Sequence, residues 1–144
     1  MAIPFTDREM ERAWRENLSA SERPVRSNAF RLLLFYAVEC GLKAILMRRF
    51  GVQRTDDIPQ IMQAQHNINR LMDELSVEGT LRLPNSIRIC NLPVSNNTRR
   101  QRTINIGQIN QMWRYGGFST GDITDEILEE KLLRISDWIK RELR

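Results

Sequence analysis

The sequence predicts an all-α domain, and one long apolar helix carries most of that prediction. Between Ser27 and Gly51 most residues are apolar, and the charges of Arg31, Glu39 and Lys43 interrupt the run. In a helix this spacing places the three charges on one face, where Glu39 and Lys43 can pair directly. A helix that is apolar on most sides belongs inside a bundle. We therefore expect a central, buried helix that carries an internal charge pair.

Length and cysteine usage predict a single domain over residues 1–144. A chain of 144 residues can bury enough surface to fold without metal or disulfide staples. Cys40 and Cys90 do not have metal-ligand spacing, and Cys40 lies in the apolar helix, where we expect a small buried hydrophobe. Residues 1–20 carry charges throughout and lack an apolar signal region, so we expect a reduced, cytoplasmic protein.

The basic residues favour an anionic partner weakly. The net charge is +4, and only three of the 22 basic residues are lysine. Arginine binds phosphate and carboxylate groups bidentately, as lysine cannot. The alternative explanation is a GC-rich genome that uses arginine codons by default.

Capping and periodicity predict the remaining helices. Thr6 and Glu9 form a capping box at the start of the first helix, and Gly51 is a natural stop for the second. An acidic stretch with Pro59 suits the start of a third helix, and the last helix begins with acids and ends with bases, as the helix dipole favours. The expected helices are 5–20, 27–50, a third from about 61 to 75 with an interruption near His66, 107–113, and 124–143.

Residues 79–106 differ in character from the helices. Apolar and polar residues alternate there, Pro84 and Pro93 punctuate the pattern, and residues 96–98 form a turn cluster. The segment is either a long ordered loop or a small β-hairpin, and the alternation favours the hairpin. Its tip carries Arg99, Arg100 and Arg102, either as a solvated loop or as a contact for RNA or a protein partner.

Three short motifs identify a resemblance to a known family. FYAVECGLKAIL (35–46) resembles the second helix of the HEPN superfamily (higher eukaryotes and prokaryotes nucleotide-binding), with its apolar-Tyr-Ala-x-Glu-x-x-x-Lys-Ala pattern. HNINRL (66–71) is similar to the start of the following helix, and Arg114-Tyr115 to an Arg-Tyr element before the last one. The resemblance spans residues 5–143. It implies an up-down bundle of four or five helices, here with the 79–106 insertion, that dimerises through its central helices.

The ribonuclease motif of this family is missing. HEPN ribonucleases, found in prokaryotic antivirus and toxin–antitoxin systems, use an R-x4–6-H motif. His66 is the only histidine of this chain, and eleven residues separate it from Arg54, the nearest upstream arginine. We therefore expect a non-catalytic HEPN-type subunit that dimerises and binds a protein partner in such a system, with RNA or a nucleotide as further candidate ligands. The alternative is a metal-independent endoribonuclease toxin that uses His66 with Arg70 or Arg114.

The candidate site is a polar cleft formed by Glu39, Lys43, His66, Arg114 and Tyr115. Each member also has a structural explanation. Glu39 and Lys43 can be an ion pair inside the bundle, and His66 can cap a helix or bond a backbone carbonyl. Arg114 and Tyr115 can hold the Glu39 carboxylate or bind a phosphate.

The sequence also bears on cofactors and on oligomeric state. It has no phosphate loop, dinucleotide fingerprint, metal-ligand cluster or catalytic triad, so we expect no cofactor and no metal. The second helix has more apolar faces than a four-helix monomer can cover. Some of Phe35, Leu42 and Leu46 are therefore expected to face a partner copy.

Overall fold

The computed structural model describes residues 3–144 and shows a helical protein with one small antiparallel sheet. The last helix packs against the second, as the first does, and the sheet is inserted between the fourth and fifth helices. The elements are α1 (Asp7–Ser21), α2 (Asn28–Phe50), α3 (Pro59–Ala64), α4 (Ile68–Glu74), β1 (Ser86–Pro93), β2 (Arg99–Asn105), α5 (Ile109–Arg114) and α6 (Asp125–Glu142).

Helix α2 is the centre of the core, and α1, α4, α5 and α6 pack around it. Phe35, Leu42 and Leu46 are each at most 1% exposed within the single chain. The prediction that some of them face a partner copy is therefore wrong. The helices of one chain already cover the apolar faces that the sequence left unassigned. At Gly41 the packing is so close that a Cβ would lie 2.8 Å from the side chain of Ile139 in α6.

The ends of the long helices follow the predicted caps. The Thr6 side chain accepts from the backbone of Glu9, and the Glu9 side chain accepts in return, which completes the capping box. Gly51 ends α2 in the left-handed conformation, with φ of 64°. Thr124 caps α6 by accepting from the backbone of Ile127.

The predicted third helix is two short helices. It breaks after Ala64, where Gln65 has a φ of 50°, and α4 starts again after Asn67. The Asn67 side chain caps α4, accepting from the backbone N–H of Arg70. The interruption near His66 is confirmed, and the cap that His66 was a candidate to supply comes from Asn67.

The 79–106 segment contains the predicted β-hairpin. Ile87 pairs with Ile104 and Ile89 with Arg102, with an irregularity between Ile89 and Leu92. Asn96 and Asn97 both have positive φ, as a two-residue hairpin turn requires. On the other side of β1, residues 118–120 add a short stretch of backbone pairing.

Within residues 3–144, no helix combines the length and the apolar character that crossing a membrane demands.

Candidate functional site

His66 lies at the break between α3 and α4 and faces α2. Its Nδ1 is 2.8 Å from Oε1 of Glu39. An ionised carboxylate only accepts hydrogen bonds, so Nδ1 is the donor, and in the neutral ring Nε2 keeps its lone pair. The His66 side chain is 46% exposed, whereas that of Glu39 is 8% exposed. The buried carboxylate therefore orients an imidazole that reaches solvent.

Lys43 completes this cluster from the same face of α2. Its Nζ donates to Oε2 of Glu39 at 2.9 Å, one helical turn away, as the sequence predicts. Burial on its own raises the pKa of Glu39. The hydrogen bond from His66 and the charge of Lys43 outweigh it and hold the pKa below its usual value. Glu39 is therefore a buried carboxylate that stays ionised.

Two cavities meet at His66. An apolar cavity of about 290 Å³ is walled by residues such as Phe5, Ile61 and Met62, with Lys43 also in its lining. We call the second one the amide cavity. Its volume is about 400 Å³, and its lining is polar: Gln63, Gln65, Asn67, Arg70, Gln108 and Gln111. The histidine thus stands between an apolar and a polar space.

Arg70 belongs to this site by position, and its side chain bonds to Gln63 rather than to His66. Its guanidinium donates to the backbone oxygen and to the side chain of Gln63, and it lines the amide cavity.

Arg114 and Tyr115 do not hold the Glu39 carboxylate, and that prediction is wrong. Arg114 donates to the hydroxyl of Tyr36, whose ring centre is 6.4 Å from that of His66. Tyr115 is 76% exposed at the end of α5. Arg114 therefore bonds to Tyr36, whereas Glu39 bonds to Lys43 and His66, and the polar cleft is smaller than the sequence suggests. The hydrogen bonds of Tyr115 and Tyr36 raise the pKa of Arg114, which keeps its charge.

The remaining titratable chemistry near the cleft is quiet. Cys40 is partly buried and packs against the core, and burial followed by the charge of Glu39 raises its thiol pKa to about 11. A thiol with this pKa is not a nucleophile near neutral pH. Among residues 3–144 no group of three or more His, Cys, Asp or Glu side chains could hold a metal ion.

The hairpin arginines form a second candidate site. Every residue from Asn91 to Gln101 is exposed, so the outer half of the hairpin stands away from the helices. Arg99 and Arg100 lie there on β2 rather than in the turn. Arg102 is different: it is half-buried and donates to the backbone oxygen and the Sγ of Cys90. Arg102 is thus not part of a solvated tip.

All charged residues of the hairpin segment 79–106 are basic. Five of the 22 basic residues and none of the 18 acidic ones lie in residues 79–106, so the remainder of the chain has a net charge of −1. Arg82 pairs with Asp73. In the part of the chain that the structure describes, Arg88, Arg99 and Arg100 have no carboxylate within salt-bridge distance.

Several site residues escaped the sequence analysis. Tyr36 is the tyrosine of the first motif, yet nothing in the sequence assigns it to the site, and Gln108 and Gln111 belong to no motif. The packing of α2 against α5 brings these side chains to the cleft. Gln108 and Gln111 also line a groove of about 440 Å³ between the hairpin and the end of α5, which we call the hairpin groove. The absence of acidic residues around Arg88 is a signal in the sequence, but the prediction from the sequence covered only the arginines at the tip.

No protein-family model, no curated protein and no solved structure matches the chain.

Proposed function

We propose that this protein is a non-catalytic HEPN-type subunit that binds an anionic protein partner through its hairpin. The setting proposed is a prokaryotic antivirus-defence or toxin–antitoxin complex in which the subunit also dimerises. The setting and the dimer come from the resemblance of three sequence motifs, and this part of the proposal is an analogy.

The observation that carries the proposal is the projecting, acid-free hairpin. Exposed arginines without internal partners contribute little to the stability of a protein, since even paired surface charges contribute little. They do raise the local positive potential and so attract and orient an anionic partner. Arg88, Arg99 and Arg100 meet this description.

The cluster on α2 supports the HEPN type without deciding it. The Glu-x-x-x-Lys pair of the first motif and the histidine of the second meet in space, at 2.8 and 2.9 Å from Glu39. Residues of two motifs that are separated in sequence thus meet in one internal polar cluster. This is expected if both motifs belong to the same family fold.

A triple variant, Arg88→Ser, Arg99→Ser and Arg100→Ser, tests the role of the hairpin. The probes are sodium polyglutamate and a single-stranded oligouridylate, with binding measured by fluorescence anisotropy over a range of salt concentrations. We expect polyglutamate to bind the native chain and the triple variant to bind it at least tenfold more weakly. If oligouridylate binds instead, the slope of log affinity against log salt concentration should be less steep by about two units in the triple variant, since each phosphate contact contributes roughly 0.7.

The matched control carries the same loss of charge on a different surface. Arg8, Arg12 and Arg15 are exposed on α1, and replacing all three with serine lowers the net charge equally. We expect this control to bind polyglutamate almost as the native chain does. An equal loss in both variants would show that net charge, not the hairpin, governs binding and would contradict the proposal.

A metal-independent endoribonuclease is the second candidate, and the Glu39–His66 pair favours it. A histidine whose Nδ1 donates to a carboxylate presents Nε2 as a base, the group needed to remove the proton of an RNA 2′-hydroxyl. Arg70 lines the amide cavity and is the candidate for holding the phosphate there.

Incubation with structured and unstructured RNA in EDTA separates the two functions. For the non-catalytic subunit we expect no cleavage by the native chain. Cleavage that His66→Ala abolishes in a folded protein, and that Arg70→Ser weakens, would establish the ribonuclease. Cleavage that persists in His66→Ala would point to a contaminating nuclease.

A further inference from the structure

The outer edge of β2 has free backbone groups. On the far side of β1, the backbone oxygen of Arg88 accepts from the backbone N–H of Thr120. The backbone N–H and C=O of Arg88 are therefore directed away from β2. In an antiparallel pair, the residue opposite such a position also points away from the ladder. That residue is Thr103, which is paired with Arg88 in register. The N–H and C=O of Thr103, and by alternation those of Gln101, are therefore directed to the open edge.

This edge is long enough to receive another strand. β2 has seven residues, and in residues 3–144 β1 is its only strand neighbour. The hairpin groove runs beside it, since residues 100–104 all contribute to its lining, with Gln111 and Tyr115 on the helical side. A strand added to β2 would direct alternate side chains toward this groove and the others toward solvent.

The charge of the edge selects what can pair with it. Unprotected edges invite pairing with a second copy, and basic side chains prevent this by like-charge repulsion. The same arginines attract a segment that is rich in aspartate or glutamate. RNA fits the edge less well, because its phosphates only accept hydrogen bonds, and its donors, the 2′-hydroxyls and base N–H groups, do not repeat with the spacing of the carbonyls of Gln101 and Thr103 along a strand.

We propose that the outer edge of β2 docks an acidic, extended segment of a protein partner by β-strand addition. Main-chain hydrogen bonds to Gln101 and Thr103 would hold the segment, and Arg99 and Arg100 would select its acidic side chains. This inference rests on the proposed function, and it adds the mode of binding and the chemistry of the partner.

The probe is a fluorescent seven-residue peptide of alternating glutamate and valine, titrated into the full chain. A second peptide has the same sequence and charge but is N-methylated at its internal amides, which removes its main-chain donors. Thr103→Pro removes the outward N–H from the protein, and Thr103→Ser retains it as the matched control. We expect the N-methylated peptide, or Thr103→Pro with the parent peptide, to lower the affinity about tenfold or more. Thr103→Ser should have no effect.

The outcomes separate this inference from the function on which it rests. Strand addition is overturned if the triple variant Arg88→Ser, Arg99→Ser, Arg100→Ser weakens the peptide complex while N-methylation and Thr103→Pro leave it intact. In that case the charged contact still holds. Strand addition is also overturned if oligouridylate binds in an arginine-dependent way and the peptide does not bind at about 1 mM. If arginine replacement affects neither probe, the proposed function fails as well. The N-methylated peptide keeps the inference testable if Thr103→Pro does not fold.

Discussion

Lys43→Met is the perturbation that probes the internal cluster most sharply. It leaves Glu39, whose side chain is 8% exposed, with His66 as its remaining partner. Breaking a buried ion pair from one side costs about 3–5 kcal/mol, because a charge is left without compensation. Since His66 still donates to this carboxylate, we expect a loss near the lower end, about 3 kcal/mol in the free energy of unfolding.

Urea unfolding followed by circular dichroism measures this loss. The matched control is Lys140→Met, because Lys140 is 52% exposed and 4.0 Å from Asp137. We expect a change within about 0.5 kcal/mol there. The double variant Glu39→Gln, Lys43→Met removes both charges, keeps an acceptor for His66, and should recover much of the lost stability. A cost below about 1 kcal/mol for Lys43→Met would refute the view that Glu39 is a desolvated carboxylate.

Three further predictions concern acid stability, packing and the hairpin. The pKa of Glu39 lies below its ordinary value of 4.5, so its contribution is complete above that pH and is lost as pH falls through the lowered folded-state value. The stability difference between the native chain and Glu39→Gln should therefore shrink in urea titrations at decreasing acidic pH. Gly41→Ala should cost about 1–3 kcal/mol by thermal unfolding, because its Cβ meets Ile139. Arg102→Ser should cost about 1–2 kcal/mol in urea, since two hydrogen bonds to Cys90 are lost, and an unchanged midpoint would show that they are solvated.

Local chemistry explains the parts of the fold that the sequence predicts. The capping box at Thr6, the stop at Gly51 and the turn at Asn96 and Asn97 each depend on residues within four positions of each other. Such signals survive folding because tertiary contacts do not need to create them. The i, i+4 pairing of Glu39 with Lys43 belongs to the same class.

Contacts between distant segments explain what the sequence left open. The sequence predicts that His66 and Glu39 share one cleft, but nothing in the chain order shows that they bond directly across 27 positions, or that Arg114 reaches the hydroxyl of Tyr36. The expected dimer face failed for the same reason. The apolar pattern indicates that Phe35 and Leu46 are buried, and only the packing of one chain shows what covers them.

The central claim is that the partner binds at the hairpin, along β2. The most direct test is to record the amide chemical shifts of the ¹⁵N-labelled chain during titration with the glutamate–valine peptide. We expect the largest changes along β2, at residues 99–104, with residues 63–70 around His66 unaffected. Changes that concentrate at His66 and Arg70 while β2 stays unchanged would contradict it and move the binding site to the cleft.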